Sequence, residues 1–274
     1  MAQEILTLLA DHARARVAAA KAAHPVEEVR AAALALPKGD FAFERALAQP
    51  GLRFICECKR ASPSKGLIAP DFPYLTIARE YAAAGADAIS VLTEPKWFLG
   101  SDRYLREIAA AVPVPCLRKD FTVDEYMIYE ARLLGASAVL LICSILDDAA
   151  LCRDLELCET LGLSALVEAH DSGEVARAVA AGARVIGVNN RNLKDFSVDV
   201  THCLTLRQQV PPGVLFVAES GIRTPADVAA LRAAGADAVL VGETLMRAAD
   251  KTAALHALRG GLPMTPKIKF CGLT

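Results

Sequence analysis

A short pattern recurs four times in this 274-residue chain and limits the folds that it can adopt. In each copy an alanine-rich helical stretch reaches a glycine, and a short apolar run rich in β-branched residues follows. The glycines are Gly85, Gly135, Gly182 and Gly235, at steps of 50, 47 and 53 residues. Glycine is favoured just after a helix because it tolerates the left-handed backbone there. Each copy therefore predicts a helix, a turn and a strand buried on both faces.

Four further apolar runs lie before and between these repeats and alternate with stretches of helical spacing. Those stretches are Tyr74–Ala84, Val123–Leu134, Asp148–Leu161 and Pro225–Ala234. One helix–strand unit per ~25 residues predicts an α/β fold, the (β/α)8 TIM barrel. An open doubly wound sheet is the alternative, but the GxGxxG turn that usually follows its first strand is missing. The predicted strands are Arg53–Cys58, Ile89–Leu92, Val114–Leu117, Val139–Ile142, Ser164–Val167, Val185–Val188, Leu215–Ala218 and Val239–Val241.

The chain divides into three predicted parts. Residues 1–50 show helical spacing interrupted by Pro25 and Pro37, which predicts an N-terminal helical extension that caps the barrel. The barrel is expected to occupy residues 51–262. Residues 263–274 then form a C-terminal tail.

Composition and charge exclude several classes of protein. The hydrophobic fraction of 54% excludes a disordered chain, and Lys+Arg 30 against Asp+Glu 32 leaves a net charge of −2. Without a basic excess, neither nucleic acid nor a membrane is predicted as a partner. The longest uncharged stretch, Leu133–Leu146, is too short to cross a bilayer. Glu4 and Asp11 interrupt the apolar residues where a secretory signal would lie, so a cytoplasmic location is predicted.

The eight cysteines are dispersed through the chain, and Cys56-x-Cys58 is the only close pair. Without an export signal, we expect them to be reduced, and mostly buried as small apolar side chains. A structural zinc site is the weaker alternative, since the five histidines do not cluster near the cysteines. No metal site and no cofactor are predicted.

Charged residues follow several predicted strands at the point where each strand ends. Glu57 and Lys59 end the first strand, Lys119 follows the third, and Glu168 and Glu219 follow the fifth and seventh. Because side chains alternate along a strand, Glu57 and Lys59 share the face that points into the barrel mouth. A ring of salt bridges is the alternative, but such a ring has no reason to choose only the carboxyl ends of the strands. TIM-barrel enzymes carry their active sites at these ends, and we predict one here.

The last two strands end in glycines that predict an anion site. Ser220 and Gly221 follow the seventh strand, and Gly242 and Glu243 follow the eighth. Backbone N–H groups in these positions, with a helix N-terminus behind them, form the usual phosphate site of such barrels. Tight turns are the alternative reason for the two glycines, and Glu243 is an unfavourable neighbour unless its carboxylate points away. We expect a phosphorylated substrate.

Two loop features extend this predicted site. The segment from Lys59 to Gly66 is basic and rich in hydroxyls, so it can clamp an anion and close as a lid. Trp97 and Phe98 follow the second strand, and Phe121 follows the third. These rings either cover the core or enclose an aromatic ring of the substrate, and both interpretations stay open.

Taken in order, these segments resemble indole-3-glycerol phosphate synthase, an enzyme family of tryptophan biosynthesis. The likeness extends over residues 1–262. It implies that 1-(2-carboxyphenylamino)-1-deoxyribulose 5-phosphate closes to indole-3-glycerol phosphate with loss of CO2 and water. The matching segments are Phe54–Gly66, Leu92–Glu94, Trp97-Phe98, Leu117–Phe121, Val167-Glu168, Gly187–Leu193, Glu219–Ile222 and Val241–Glu243.

The resemblance also implies roles for individual residues. Lys119 would protonate the ketone, with Lys59 as a second ammonium near the substrate carboxylate. Glu168 and Glu57 would act as bases or electrostatically, and Asn189 would hold the reacting hydroxyl. Which lysine acts as the acid at each step stays open. The residues implied to bind substrate are Ser62 at the carboxylate, Phe98, Phe121 and Leu140 at the aromatic ring, Ser220, Gly221, Gly242 and Glu243 at the phosphate, together with Arg191, Leu193 and Glu219.

The tail from Lys267 to Thr274 resembles the opening strand of phosphoribosylanthranilate isomerase, in which the position of Cys271 would be a catalytic base. No second barrel follows, so Cys271 is assigned no function. A fragment of a fused enzyme, a gene that stops at its junction, and chance similarity all stay open. Association with neighbouring enzymes of tryptophan biosynthesis is a further expectation.

Two other classes of function stay open. A Schiff-base aldolase would use Lys119 or Lys59 as a nucleophilic amine. A catalytically silent barrel would only bind a phosphorylated metabolite or a partner protein. A nicotinamide enzyme is disfavoured because the dinucleotide turn is missing. A metal hydrolase is disfavoured because His170 stands alone after Glu168, as a polar loop residue.

Overall fold

The computed structural model describes residues 2–191 and 197–260 of the chain. Within these ranges, eight parallel strands close into a barrel in which β1 pairs with both β4 and β10. The (β/α)8 architecture is therefore confirmed. The strands are β1 (Arg53–Cys58), β2 (Ala61–Ser62), β3 (Gly66–Leu67), β4 (Ala88–Leu92), β5 (Cys116–Lys119), β6 (Ala138–Ile142), β7 (Ser164–Ala169), β8 (Val185–Asn189), β9 (Leu215–Glu219) and β10 (Ala238–Val241).

Helices surround the barrel and precede it. The N-terminal extension is helical, as predicted, and a short 3-10 helix, Cys143–Ile145, follows β6. The α-helices are α1 (Ala2–Ala23), α2 (Val26–Ala35), α3 (Ala42–Leu47), α4 (Tyr74–Ala83), α5 (Asp102–Ala111), α6 (Glu125–Leu133), α7 (Asp148–Leu161), α8 (Ser172–Ala180), α9 (Thr201–Arg207), α10 (Pro225–Ala233), α11 (Glu243–Arg247) and α12 (Lys251–Leu258).

Side-chain alternation divides the core into two layers. Cys56 and Cys58 of β1 pack outward against the helices, in the same cluster as Tyr81 of α4. Ile55 points inward, with Leu117 of β5, into the cluster that fills the barrel. Because the inward positions of β1 continue to Glu57, the same alternation delivers a carboxylate to the barrel mouth.

The start of β5 corrects one predicted strand. The apolar run predicts Val114–Leu117, whereas the strand spans Cys116–Lys119. Pro115 has no backbone N–H to donate to a neighbouring strand, so regular pairing starts after it. The shift places Lys119 inside the strand instead of after it. The loop that follows β1 also differs from expectation, because β2 and β3 pair as a small antiparallel hairpin.

The cysteines in the described ranges are all free, and all except Cys152 are buried. Burial raises the pKa of the Cys116 thiol to about 12, so this side chain behaves as an apolar group at neutral pH. This agrees with the prediction of reduced, mostly buried cysteines, while Cys271 lies outside the described residues together with the rest of 261–274. No helix in the described part of the chain is long and apolar enough to span a membrane.

Gly162 ends α7 at a point where two backbone segments touch, and its replacement tests this contact. Gly162 has φ +68°, and a Cβ there would overlap the carbonyl group of Gly39. Gly182 also has positive φ, +82°, but a Cβ there meets nothing within 4 Å. Both alanine variants share the cost of left-handed backbone, so their difference isolates the contact. We expect Gly162→Ala to lower the free energy of unfolding by ~1–3 kcal/mol more than Gly182→Ala, measured by urea denaturation. Equal losses would contradict the role of this contact.

Candidate active site

The carboxyl ends of the barrel strands surround a cavity of about 410 Å³. This volume is within the usual range for small-molecule sites. Every predicted site residue that the structure describes lines the cavity, whereas Leu193 lies outside the described residues. The predicted residues at the cavity are Glu57, Lys59, Ser62, Phe98, Lys119, Phe121, Leu140, Glu168, Asn189, Arg191, Glu219, Ser220, Gly221, Gly242 and Glu243.

Lys119 lies between two carboxylates that reach it from separate strands. Its Nζ donates to Glu168 Oε2 at 2.8 Å and lies 3.3 Å from Glu219 Oε2. Burial alone would lower the pKa of Lys119, but Glu168 and Glu219 outweigh burial and raise this pKa above its ordinary value. Lys119 is therefore an ammonium group with a proton to donate.

Glu168 ends β7 and is held ionised by its neighbours. Burial alone would raise the pKa of Glu168, but Lys119 and His170 outweigh burial and hold this pKa well below its ordinary value. Asn189 of β8 donates from Nδ2 to Glu168 Oε1 at 3.2 Å, and Asn189 Oδ1 accepts the backbone N–H of Arg191 at 3.0 Å. The carboxylate is thereby fixed in orientation as well as in charge.

Glu219 is the less ionised of the two carboxylates beside Lys119. Burial raises its pKa to about 7, against the opposing effect of Lys119. Its Oε1 is buried and accepts no hydrogen bond from the described residues. Oε1 occupies the space that a side chain at Gly187 would fill, so a larger residue at that position would displace the carboxylate. Glu219 therefore shares the Lys119 site with Glu168 but is able to carry a proton near neutral pH.

A second lysine–carboxylate pair lies at the end of β1 and also lines the cavity. Lys59 Nζ is 2.5 Å from Glu57 Oε1, and Ser90 of β4 donates to Glu57 Oε2 at 3.3 Å. A Cβ at Gly242 would lie 2.5 Å from Glu57 Oε1 and 3.0 Å from Lys59 Nζ, which shows how closely β10 approaches the pair. A side chain at position 242 would therefore clash with this pair, and glycine avoids the clash.

The ends of β9 and β10 form one polar end of the cavity. Ser220 and Gly221 have left-handed backbones, with φ of 68° and 81°, a conformation that costs a non-glycine residue ~1–2 kcal/mol and is often found at functional sites. The short helix α11 begins directly after Gly242. Glu243 is paired with Arg247, whose Nε donates to Glu243 Oε1 at 3.0 Å. Its carboxylate is therefore compensated by a cation, which reduces its repulsion toward an anion nearby.

An aromatic wall lies at the other end. The rings of Phe98 and Phe121 have centroids 6.0 Å apart. Glu94 holds the loop that carries Phe98, because its carboxylate accepts the backbone N–H groups of Lys96, Trp97 and Phe98 at 2.7–3.0 Å. Trp97 does not line the cavity. It packs edge-on against the imidazole ring of His12 in α1, with ring centroids 5.2 Å apart. Each interpretation of the loop aromatics therefore holds for some of these rings. Phe98 and Phe121 line the cavity, whereas Trp97 packs against the core.

Helix α1 contributes to the cavity in a way that sequence reasoning did not anticipate. Its residues Ile5, Leu6 and Leu9 line the cavity beside the barrel residues. Arg16 donates to the buried carboxylate of Asp120 at 2.6 and 3.0 Å, and this pairing fixes α1 next to Lys119. The sequence predicts that the extension 1–50 caps the barrel, but nothing in its periodicity indicates that α1 reaches the cavity.

His170 is a loop residue between β7 and α8, as the sequence predicts, but it also makes contacts that the sequence does not indicate. Its Nε2 lies 3.3 Å from Glu168 Oε1, and its Nδ1 lies 3.2 Å from Glu174 Oε2. The only sequence signal was its place two residues after Glu168, which by itself is not specific.

Comparison with known proteins identifies the family. The family model for indole-3-glycerol phosphate synthase matches residues 6–258. A protein of that name from Ruminiclostridium cellulolyticum is 59% identical over 223 residues, which cover 81% of this chain and 86% of the relative. Another from Endomicrobium trichonymphae is 48% identical over 256 residues, covering 93% of this chain and 99% of the relative.

Solved structures agree on the fold. A 3-hexulose-6-phosphate synthase superposes with a TM-score of 0.63 at 20% identity, covering 77% of this chain and 100% of that one. At this identity the likeness shows the fold alone. The family model spans nearly all of the described chain, and the relatives match it over most of their own length. The chain therefore belongs to the indole-3-glycerol phosphate synthase family.

Proposed function

We propose that this cavity converts 1-(2-carboxyphenylamino)-1-deoxyribulose 5-phosphate into indole-3-glycerol phosphate, CO2 and water. Membership of the family supports the overall reaction. The observation that carries the proposal is the buried Lys119 ammonium, held between Glu168 and Glu219 in a cavity with an aromatic wall and a polar end. The substrate has a ring, a ketone and a phosphate in that order, so this arrangement matches the order and polarity of its groups.

The first step in the proposal forms the carbon–carbon bond. The ring carbon that bears the carboxylate attacks the ketone carbon, and the ketone oxygen takes the Lys119 proton to become a hydroxyl. Positioned acids typically contribute ~10²–10⁴-fold to rate. Lys59 and Glu57 line the same cavity, and the Lys59 ammonium and Ser62 would hold the substrate carboxylate before it leaves. Loss of CO2 returns the bonding electrons to the ring system.

The second step removes water and completes the indole ring. The new hydroxyl leaves as water after it receives a proton, and a base removes a proton from the neighbouring carbon. Glu168 fits the base because it is ionised and oriented by Asn189. Lys59 is available to supply the proton that the hydroxyl needs, while Glu57 stays its carboxylate partner.

The two ends of the cavity would set the orientation of the substrate. Phe98, Phe121 and Leu140 supply an apolar wall for the anthranilate ring. Ser220, Gly221, Gly242 and Glu243 supply backbone N–H groups for the phosphate, in the position that TIM barrels use for this purpose. Arg191 would contact the polar part of the substrate. Leu193, also expected to bind substrate, lies outside the described residues.

The test is turnover by the purified chain, followed by the indole fluorescence of the product. We expect fluorescence to rise with EDTA present, and a strict metal requirement would count against this mechanism. Borohydride added with substrate leaves a covalent adduct on a Schiff-base aldolase and none on a synthase. Tight binding of the substrate without any fluorescence change would instead favour the catalytically silent barrel.

The proposal also includes a location and neighbours. A doubly charged phosphate ester does not cross a bilayer unaided, which supports synthesis and use in one compartment, the cytoplasm. Transient association with neighbouring enzymes of tryptophan biosynthesis would shorten the path of such intermediates. Chemical crosslinking in cells, followed by mass spectrometry of linked peptides, checks this expectation.

A further inference from the structure

His170 is a mostly buried, charged side chain next to the proposed base, and the mechanism above does not use it. It follows β7 directly and does not line the cavity, and 15% of its side chain is exposed. Its Nε2 lies 3.3 Å from Glu168 Oε1, although the ring N–H is not aligned for a hydrogen bond in this arrangement. The contact is thus an ion pair made from behind the site.

The two oxygens of Glu168 face different groups. Oε2 faces the cavity and accepts from Lys119 at 2.8 Å. Oε1 is contacted by Asn189 at 3.2 Å and by His170, which does not line the cavity, at 3.3 Å. When Lys119 turns to a ketone it loosens its hold on Oε2, but the contacts to Oε1 remain. A support from behind is therefore needed if Glu168 is to keep its orientation through both steps.

His170 is itself held by a second carboxylate. Glu174, in the first turn of α8, accepts the His170 backbone N–H at 2.7 Å and lies 3.2 Å from its Nδ1. Ser144 Oγ, on the 3-10 helix after β6, lies 3.3 Å from the same nitrogen. Contacts from two elements, α8 and the 3-10 helix, thus fix the ring plane and direct Nε2 toward Glu168.

We propose that His170 is a positioning residue that holds the Glu168 carboxylate in place from behind while Lys119 serves the substrate, with Glu174 anchoring the imidazole. This inference rests on the proposed function, in which Glu168 is the base of the dehydration step. Outer partners of this kind typically change activity by ~10–100-fold when removed.

The charges around the imidazole explain its protonation. Glu168 faces it from β7 and Glu174 from α8, and His202 of α9 contacts its backbone carbonyl from Nε2 at 2.8 Å. Burial alone would lower the pKa of His170, but the two carboxylates outweigh burial and raise this pKa to about 10. His170 is therefore a cation at neutral pH, and its charge favours the ionised form of Glu168.

The experiment compares kcat and KM across pH for two variants. His170→Ala removes the contact, and we expect kcat to fall ~10–100-fold with KM changed less than about threefold. His170→Gln keeps a donor near Nε2 without the charge. It should recover part of kcat, while the acid limb of its kcat profile moves to higher pH by about one unit, because Glu168 has lost a neighbouring cation.

His256→Gln is the matched control, because His256 is an exposed histidine on α12. It should leave kcat and the pH profile unchanged. Wild-type kcat and an unshifted acid limb in both His170 variants would overturn the inference. A fall in kcat accounted for entirely by a smaller folded fraction would overturn it as well, since a positioning residue acts on the folded enzyme.

NMR of the imidazole provides a readout that does not depend on activity. The His170 signal, identified by its loss in His170→Gln, should stay protonated above pH 8 in the wild type. Glu174→Gln should lower the titration midpoint of this signal by about one unit or more. A His170 titration midpoint near 6.5 that does not change in Glu174→Gln would refute the proposal that Glu174 anchors the imidazole. Failure of the wild type to make indole-3-glycerol phosphate would instead refute the proposed function, with the titration still readable.

Discussion

Replacement of Lys119 with methionine is expected to lower kcat by ~10²–10⁴-fold while the chain remains folded. The reason is that Lys119 is the ammonium placed between Glu168 and Glu219, and methionine fills its volume without a proton to donate. Removing the cation also relieves the force that keeps Glu168 ionised, so the base is weakened together with the acid. Steady-state fluorescence assays measure kcat, and circular dichroism shows whether the variant is folded.

Two further variants separate proton donation from charge. Lys119→Arg keeps a cation beside both carboxylates, but a guanidinium does not release its proton, so kcat should stay more than ~10²-fold low. Lys96→Met removes an exposed lysine outside the cavity, whose Nζ lies 4.5 Å from the Trp97 ring centroid, and should leave kcat unchanged. A Lys119→Met enzyme with near-normal kcat would remove the acid assignment without touching the fold.

Much of the fold follows from local patterns in the chain. The glycines of the four repeats all have positive φ, as a turn between helix and strand requires. Side-chain alternation along β1 correctly separates Glu57 and Lys59 from Cys56 and Cys58. These features depend only on residues that are close together in the chain, so they can be predicted from one sequence.

The parts of the site that escaped prediction depend on contacts between distant residues. Arg16 and Asp120 are 104 positions apart, and nothing near either residue signals that they meet. Periodicity near the N-terminus predicts a helix, whereas its position over the cavity depends on this pair and on Ile5, Leu6 and Leu9. His170 is adjacent to Glu168 in the chain, but only the location of Glu174 on the next helix turns its ring toward the carboxylate.

The start of β5 shows a different limit. Hydrophobicity alone places this strand at Val114–Leu117, but the missing N–H of Pro115 moves it to Cys116–Lys119. The correction matters for function because it makes Arg118 and Lys119 successive residues of one strand. Their side chains therefore lie on opposite faces, with Lys119 in the barrel and Arg118 among the helices.

Arg118 is a structural cation, and it contrasts with its neighbour Lys119, the proposed acid. Its side chain is 2% exposed, and its Nη2 donates to Asp102 Oδ1 at 2.8 Å, while its Nη1 donates to the Met127 carbonyl oxygen at 2.8 Å. Glu130 Oε2 lies 3.3 Å from the same guanidinium. Burial alone would lower the pKa of Arg118, but Asp102, Asp120 and Glu130 outweigh burial and raise it. This one guanidinium thus joins β5 to α5 and α6.

Replacement of Arg118 with methionine should therefore lower the free energy of unfolding by ~3 kcal/mol, the lower end of the range for breaking a buried ion pair. The lower end applies because Asp102 and Glu130 are 44% and 28% exposed and stay partly hydrated. Urea denaturation measures the loss, and kcat per folded molecule should fall far less than in Lys119→Met.

Arg14→Met is the control: its pair with Asp11 is more than half exposed, so the expected change is ~0.5 kcal/mol or less. Equal losses in the two arginine variants would show that Arg118 does not hold the helices to β5. If Arg118→Met lost as much activity as Lys119→Met while its stability stayed unchanged, the assignment of Arg118 to a purely structural role would be wrong.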